Sequence, residues 1–342
     1  MAVIVTSACQ PVACAAGRKN SSLWKSASWL RISSGARWFS AVLLAACTMG
    51  VGATPPPSIQ FLGIPTPVFT SGISFPIGMA EDVAGNVYIA EYNGNAVYKE
   101  TLQPDGTYIR STVASGFSYG PVGLAIDVAG NVYVGLDITG GTSRLLKETL
   151  QGDGSYIQSY IGTGNGDVYG IAVDGNGNVF AVSSSGTNPT GNVVLKFFPS
   201  GSTYTSSVVF TSPSGILAGV ALDSSGNVFV AKEYGNTIYK LTPSGDPATT
   251  TSYTSSAITL ATGTSAFDVA LDANGDLFVA DTAGKILVEV PVGGGTYTET
   301  VLASGLSSPF GVTVGPTGTI YFGVSGAVDK FSPAPVNLVL PT

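Results

Sequence analysis

The residue types missing from this 342-residue chain limit the chemistry that it can perform. The chain contains no histidine, which excludes Ser-His-Asp triads, Cys-His pairs, histidine general bases and histidine-rich zinc sites. All three cysteines, Cys9, Cys14 and Cys47, lie near the N-terminus. The rest of the chain therefore offers no disulfide, cysteine nucleophile or thiolate metal site, and carboxylates are the main groups left for catalysis.

Two carboxylates depart from an internal repeat. Glu81 aligns with apolar residues, which are Ile126, Val173, Leu222, Leu271 and Val314. A buried carboxylate there needs a partner, a raised pKa or access to solvent, and a frayed first repeat with Glu81 reaching water or a lysine is the alternative. Asp268 replaces a glycine, found at Gly78, Gly123, Gly170, Gly219 and Gly311.

The position before this glycine carries three aromatic residues in six repeats, Tyr169, Phe267 and Phe310. In a ring of repeats these side chains surround one axis, near the mouth of a central channel. An aromatic mouth with one or two carboxylates suits a peptide, a sugar or a cation. The alternative is that the rings only pack between repeats.

The repeat itself is a Gly-Asn-Val-Tyr segment that recurs at intervals of 43 to 49 residues. Its copies begin at Gly85, Gly130, Gly177, Gly226, Gly275 and Gly318. Short apolar runs separated by turn residues surround each copy, and 121–161 contains four of them. This period predicts an all-β fold, a six-bladed β-propeller of four-stranded antiparallel blades.

Most polar residues of the repeat are explained by the fold. An Asp-x-x-Gly turn occurs at Asp82, Asp127, Asp174, Asp223 and Asp272, and Gly315 replaces the aspartate in the last copy. One carboxylate per turn favours turn construction over a calcium site, which needs several converging oxygens. Lysines recur on the predicted third strand at Lys99, Lys147, Lys196, Lys240 and Lys330.

The pattern Pro-x-Gly-Val/Leu-Ala-x-Asp-x-x-Gly-Asn-Val-Tyr-Val-Ala, followed by Val-Tyr-Lys, resembles the NHL repeat over about residues 67–331. This resemblance implies a six-bladed propeller that serves as a binding module and in some members as an enzyme. Gluconolactonase-like propellers use a glutamate on an early inner strand together with an Asn and an Asp around a divalent ion. Glu81 matches the glutamate, and the other two have no match.

The ends of the repeat region predict how the ring closes. Pro67 to Gly72 matches the segment before the last repeat, Thr300 to Gly305. We therefore expect strand 67–72 to pair into the last blade and to protect its edge. Residues 54–66, with three consecutive prolines, are predicted to be a spacer, and 332–342 a C-terminal tail.

Residues 1–53 are typical of an export signal. They contain five basic residues and no acidic one, and the apolar run 38–46 is too short to span a bilayer. The run ends in Leu-Ala-Ala-Cys47, which resembles a lipoprotein box; simple secretion after Ala53 is the alternative. Without this segment, nine Lys and Arg face 21 Asp and Glu, a net charge of −12 that disfavours nucleic acid.

Two functions with a specific site are consistent with these observations, and a purely structural envelope protein is the third possibility. The first is an exported, monomeric binding module without a cofactor, whose loop face around Tyr169, Phe267 and Phe310 binds a protein, peptide or glycan, with the loops 139–143 and 183–191 shaping that surface. Its only membrane contact would be a lipid on Cys47. The second is a metal-dependent, lactonase-like hydrolase centred on Glu81 and Asp268, which would need a divalent cation.

Overall fold

The computed structural model describes residues 65–137, 144–163, 167–184 and 192–332. The predicted export segment with Cys47, residues 54–64 of the spacer, the tail beyond residue 332 and most of the two predicted surface loops lie outside these residues. No helix in the described part is long and apolar enough to cross a membrane.

The described chain forms 24 strands in six antiparallel sheets of four, and each sheet is one blade. The first strand of each blade lies innermost; these strands are β2 (Pro76–Glu81), β6 (Pro121–Ile126), β10 (Asp167–Val173), β14 (Leu217–Leu222), β18 (Ala266–Leu271) and β22 (Val312–Val314). The second strands are β3 (Val87–Glu91), β7 (Val132–Leu136), β11 (Val179–Ser184), β15 (Val228–Lys232), β19 (Leu277–Asp281) and β23 (Ile320–Val324).

The outer half of each blade consists of a third and a fourth strand. The third strands are β4 (Ala96–Leu102), β8 (Arg144–Leu150), β12 (Val193–Ser200), β16 (Thr237–Pro243), β20 (Lys285–Gly293) and β24 (Ala327–Phe331). The fourth strands are β5 (Tyr108–Ser115), β9 (Tyr156–Thr163), β13 (Thr203–Thr211), β17 (Tyr253–Thr259), β21 (Thr296–Ser304) and, for the sixth blade, β1 (Thr66–Phe69). Blades 1 to 6 are numbered by their innermost strands in chain order.

The ring closes as the sequence predicts, because the sixth sheet has the order β1-β24-β23-β22. Strand β1 runs antiparallel to β24, with Thr66 opposite Lys330 and Phe69 opposite Val328. The strand is shorter than the predicted 67–72 and ends at Phe69. Gly72 has φ of 64°, a left-handed turn that lets the chain leave the sixth blade for the innermost strand of blade 1.

The repeated tetrapeptide builds the hairpin between the first and second strands. Its six glycines have φ between 78° and 85°, which the tight turn requires. In blade 2, Oδ1 of Asp127 accepts hydrogen bonds from the N–H groups of Ala129 and Asn131, and Oδ2 accepts from the Asn131 amide and the Tyr133 hydroxyl. The aspartate therefore fixes the turn and the start of the next strand.

The cores lie between neighbouring blades, and the recurring residues of the second strands are central to them. The third residue of the tetrapeptide is fully buried in every blade, as Val87, Val132, Val179, Val228, Leu277 or Ile320. Four of the five predicted third-strand lysines cover the aromatic residue of the second strand, with Lys99 Nζ 5.2 Å from the Tyr88 ring centroid and Lys147 Nζ 5.2 Å from that of Tyr133. These residues are therefore structural.

Candidate functional site

The six innermost strands surround a channel cavity of about 250 Å³. Both predicted carboxylates, Glu81 and Asp268, line it together with the backbone of the inner strands. We call the end at which the inner strands begin the upper end, and the end at which they stop the lower end. Asp268 lies toward the upper end of β18, whereas Glu81 is the last residue of β2.

Most blades have a glycine at the position of Gly78 and Gly123, because the inner strands of adjacent blades approach closely there. A Cβ atom at Gly123 would lie 2.8 Å from the Tyr169 carbonyl oxygen, and a side chain at Gly78 would collide with the Val122 carbonyl. The glycines found at this position thus permit ring packing. Asp268 is the exception in blade 5.

Asp268 accommodates its side chain by bonding the next blade. Its Oδ2 accepts a hydrogen bond from the Val312 N–H of blade 6 at 3.0 Å, and Oδ1 accepts from its own neighbour, Val269, at 2.9 Å. The carboxylate packs against Gly219 of blade 4. Burial raises the pKa of Asp268 to about 7, although both hydrogen bonds oppose this shift. Asp268 therefore connects three blades at the channel wall.

Glu81 fills a space that the sixth blade leaves open. A side chain at Gly315 would collide with Oε2 of Glu81, so the glutamate of blade 1 reaches the place where the other five turns have their own aspartate. Unlike those aspartates, Glu81 lies at the channel: its Oε2 is buried and has no hydrogen-bond partner among the described residues. The unusual residues Glu81 and Gly315 are thus a matched pair.

The surroundings of Glu81 favour its neutral form. Burial, followed by the negative charge of Asp82, raises the pKa of Glu81 to about 7, and the positive charge of Lys330 opposes this shift. Burial, then the hydrogen bond with Tyr108 and the charge of Glu81, raise the pKa of Tyr321, whose hydroxyl pairs with that of Tyr108 at 2.8 Å. A carboxyl with this pKa can exchange a proton near neutral pH.

Glu81 and Asp268 share the channel but not a binding centre. Glu81 takes the register position of Leu271, three residues beyond Asp268 on the inner strand, and blade 6 separates their blades. Neither group contributes to the pKa shift of the other. The structure therefore does not bring the two carboxylates together as one catalytic pair.

The three predicted aromatic residues meet at the upper end of the channel. The ring centroid of Phe267 lies 6.0 Å from that of Tyr169 and 5.2 Å from that of Phe310, in edge-to-face contact. Phe75 packs on Phe310 at 4.7 Å, and Tyr92 on Phe75 at 5.8 Å. Phe267 is 7% exposed, and the other four rings are half-buried around it. We call these five residues the aromatic cluster.

Carboxylates hold the hydroxyl groups of the cluster in place. Tyr92 donates to Asp137 Oδ2 at 2.9 Å, and Tyr169 donates to Asp167 Oδ2 at 3.4 Å. Burial first, and then the charges of Asp167, Asp137 and Glu233, raise the pKa of Tyr169. Sequence reasoning missed Phe75, Tyr92 and these acids, because they border repeating strands at positions where the residue type varies from blade to blade.

A divalent cation, which the lactonase-like interpretation requires, needs several oxygen ligands that lie close together. Within the four described ranges, no three His, Cys, Asp or Glu side chains come close enough together to hold a metal ion. Glu81 and Asp268 face different neighbours, and Asp268 uses both oxygens for backbone N–H groups. These residues do not fit a carboxylate-bound metal centre.

Comparison with known proteins establishes the fold. No family model and no curated protein matches the chain. Among solved structures, a gluconolactonase from Xanthomonas campestris superposes with a TM-score of 0.60 at 12% identity, covering 81% of this chain and 94% of its own. The chain is a six-bladed β-propeller. The resemblance to NHL repeats stays a prediction.

Two further propellers show how widely this architecture is used. A PQQ-bound aldose sugar dehydrogenase from Streptomyces coelicolor has a TM-score of 0.56 at 14% identity, covering 81% of this chain and 98% of its own. A catalytically inactive histidine-to-alanine variant of virginiamycin B lyase from Staphylococcus aureus, crystallised with quinupristin, has a TM-score of 0.54 at 16% identity, covering 80% and 100%. At these identities the likeness concerns the fold alone.

Proposed function

We propose that this propeller is a rigid binding module that recognises a protein, peptide or glycan on the face around Tyr169, Phe267 and Phe310. The observation that carries the proposal is the aromatic cluster at the upper end of the channel, whose tyrosine hydroxyls are fixed by carboxylates. Such rings offer large contact area with little loss of side-chain entropy. Their fixed hydroxyl and carboxylate groups add polar contacts.

The cellular location of the module is proposed independently of its ligand. The export signal in residues 1–53 would carry the protein out of the cytoplasm, either secreted or held by a lipid on Cys47. The excess of acidic residues supports a partner other than nucleic acid. Radiolabelled fatty acid should label the wild type and not Cys47→Ala if the lipoprotein form exists, and absence of label from both leaves secretion.

Binding arrays test the module directly. Purified propeller is applied to a mixed-glycan microarray and to an immobilised peptide library, together with the variants Tyr169→Ala and Phe310→Ala. We expect selective retention by the wild type and a loss of roughly tenfold or more in the variants, because each removes a ring from the contact surface. Val128→Ala is the matched control, since Val128 is 91% exposed in a turn at the opposite end. Equal retention by all four proteins contradicts the proposal.

A hydrolase acting through Glu81 is the second candidate, and one observation favours it. The pKa of Glu81 is raised to about 7, and its unpartnered Oε2 lies beside the channel cavity, as expected of a general acid or base. The metal-dependent form of this proposal lacks a fitting ligand set. The virginiamycin B lyase variant described as inactive lost a histidine, a residue that this chain does not contain.

Lactone hydrolysis and metal titration separate the two functions. If the hydrolase proposal is right, the wild type cleaves members of a panel of γ- and δ-lactones, and Glu81→Gln lowers the rate at least roughly a hundredfold while remaining folded. Calorimetric titration of Ca²⁺ and Zn²⁺ into the wild type and into the double variant Glu81→Gln, Asp268→Asn tests for a metal site. Unchanged hydrolysis in Glu81→Gln rules out the glutamate as the acid or base.

A further inference from the structure

The outer groove between blades 1 and 2 contains a second cavity, of about 200 Å³. Ser118 and Tyr119 line it from the loop that enters blade 2, Leu136 from the end of β7, and Arg144 and Gln158 from β8 and β9. This cavity shares none of its lining residues with the channel. A ligand of this groove is therefore independent of the function proposed for the channel face.

The equivalent groove of blade 5 is filled by a carboxylate of the chain itself. Glu299 on β21 accepts hydrogen bonds from the backbone N–H groups of Ala261 at 2.7 Å and Thr262 at 2.9 Å. Lys285, the first residue of β20, donates through Nζ to the Thr262 carbonyl at 2.6 Å. Blade 5 thus shows that this groove accommodates one carboxylate bound by two loop N–H donors, with a lysine that bonds the same loop.

The loop of blade 2 begins as the loop of blade 5 does. Leu260 in blade 5 and Phe117 in blade 2 are both buried, and each donates its N–H to a carbonyl in the loop between the second and third strands of the preceding blade. The residues after Leu260 are the two that Glu299 binds. The residues after Phe117 are Ser118 and Tyr119, which line the cavity.

Blade 2 keeps the cation but lacks the carboxylate. Gln158 stands opposite Glu148 as Glu299 stands opposite Glu289, and its amide donates to Glu148 Oε1 at 2.7 Å. Arg144 is the first residue of β8, as Lys285 is of β20. In the described part of the chain, its guanidinium group makes no hydrogen bond or ion pair.

Blade 1 uses other side chains in the corresponding groove. Arg110, which replaces Gln158 there, donates to the Ser71 carbonyl at 2.7 Å and stacks 5.0 Å from the ring centroid of Tyr98. In blade 2 the residue that corresponds to Tyr98 is the smaller Leu146. Gln158 and Leu146 of blade 2 are smaller than Arg110 and Tyr98 of blade 1, and the cavity occupies the remaining space.

We propose that the cavity between blades 1 and 2 binds a small monocarboxylic acid. The ligand carboxylate takes the place that Glu299 fills in blade 5, pairs with the guanidinium group of Arg144 and accepts the N–H groups of Ser118 and Tyr119. The apolar part of the acid packs on Leu136 and Leu146. The cavity volume limits the ligand to acids of about the size of a single aromatic ring with its carboxylate.

Calorimetric titration with benzoate tests the proposal, and benzamide is the matched uncharged ligand. We expect saturable binding of one benzoate by the wild type and none of benzamide. Arg144→Gln should weaken benzoate binding roughly tenfold or more, because a charge-assisted hydrogen-bond pair is lost. Lys285→Gln is the matched control in blade 5 and should leave benzoate binding unchanged.

Gln158→Glu gives an independent test, because it recreates the carboxylate of blade 5 inside the cavity. This variant should lose benzoate binding while its thermal midpoint stays equal to or above that of the wild type, which separates site filling from unfolding. The proposal is overturned if the wild type does not bind benzoate, if it binds benzamide equally well, or if Arg144→Gln or Gln158→Glu retains the affinity of the wild type.

Discussion

The sixth blade differs from the other five in two ways that belong together. Its fourth strand, β1, comes from the opposite end of the described chain, and its turn has Gly315 where the others have an aspartate. Blades 1 to 5 bond their turns with their own carboxylate, whereas in the sixth blade Glu81 of blade 1 fills the space beside Gly315 without a hydrogen bond from Oε2. The join of the ring is therefore where this repeat is least regular.

Carboxylates in the regular turns and the carboxylate of Glu81 at the join have different hydrogen-bonding environments. In the regular turns the carboxylate oxygens bond backbone and side-chain donors, as in blade 2. At the join, the carboxylate of Glu81 occupies a partly buried site, and its Oε2 has no partner in the described chain. Blade 1 keeps Asp82 in its turn, and the additional carboxylate of Glu81, at an otherwise apolar position, has a pKa of about 7.

Deleting residues 57–72 should lower the stability of the protein more than any other change proposed at the join. The deletion removes β1, leaves the edge of β24 unpaired and takes away Phe69, which is 6% exposed and packs 4.9 Å from the Tyr108 ring. We expect the free energy of unfolding to fall by about 5 kcal/mol or more. Urea denaturation of both proteins measures it.

Phe69→Ala is the graded form of this experiment and should cost about 3 kcal/mol. Val301→Ala, at a residue 42% exposed on a fourth strand, is the control and should change stability by no more than about 0.5 kcal/mol. An unchanged urea midpoint after the deletion would show that blade 6 does not need β1.

Exchanging residues at the join tests the matched pair. Gly315→Asp restores the usual turn residue but collides with Oε2 of Glu81 and adds a like charge, so it should destabilise the protein by about 2 to 3 kcal/mol. Adding Glu81→Ile, the residue type of blade 2, should recover most of that loss. Strictly additive effects in this double-mutant cycle would mean that the two positions are independent.

The fold was largely predictable from the sequence, because the residues that build it recur. The turn aspartates, the glycines with positive φ and the buried second-strand residues each occur five or six times. The blade number and the closure by the N-terminal strand followed from them. The end of β1 was misplaced, because the matching strand β21 continues to Ser304, whereas β1 ends at Phe69.

The site was predictable only in part. Alignment of the repeats identified Glu81, Asp268 and the three upper aromatic residues as exceptions. It did not reveal that Glu81 fills the space of Gly315, because this contact joins residues far apart in the sequence. Nor did it reveal the bond between Tyr92 and Asp137, which follow β3 and β7 at a position where the residue type varies, nor that Asp268 bonds the Val312 N–H of the next blade.

The pH dependence of stability should report the charge of Glu81. Its folded pKa of about 7 lies above the unfolded value of 4.5, so its contribution is fully present below pH 4.5 and is lost as the pH rises through 7. Glu81→Gln, which stays neutral, should therefore gain stability over the wild type between pH 5 and pH 8. The gain should be about 1 to 2 kcal/mol, allowing for partial solvent screening.

Thermal midpoints of the two proteins from pH 4.5 to 8.5 measure this difference. Asp105→Asn, at an exposed hairpin, controls for the loss of one negative charge elsewhere and should not reproduce the same rise with pH. A constant difference between Glu81→Gln and wild type across the range would show that Glu81 titrates normally.

The smallest expected change in stability concerns Asp276, a second unusual carboxylate, which lies in a regular turn. Asp276 occupies the asparagine position of Asn86, Asn131, Asn178 and Asn227. Burial and the charge of Asp272 raise the pKa of Asp276 to about 6, so its contribution to stability is lost as the pH rises from 3.8 through 6. Asp276→Asn should therefore stabilise the protein by about 1 kcal/mol at pH 8 and by less at pH 4.

The reverse change, Asn131→Asp in blade 2, is the matched control. It removes the amide that donates to Asp127 Oδ2 at 2.8 Å and should destabilise the protein by a similar amount at pH 8. Thermal denaturation of both variants at the two pH values measures the effects. If both changes destabilise the protein, the Asp272 and Asp276 pair stabilises blade 5, and the prediction from the raised pKa of Asp276 is wrong.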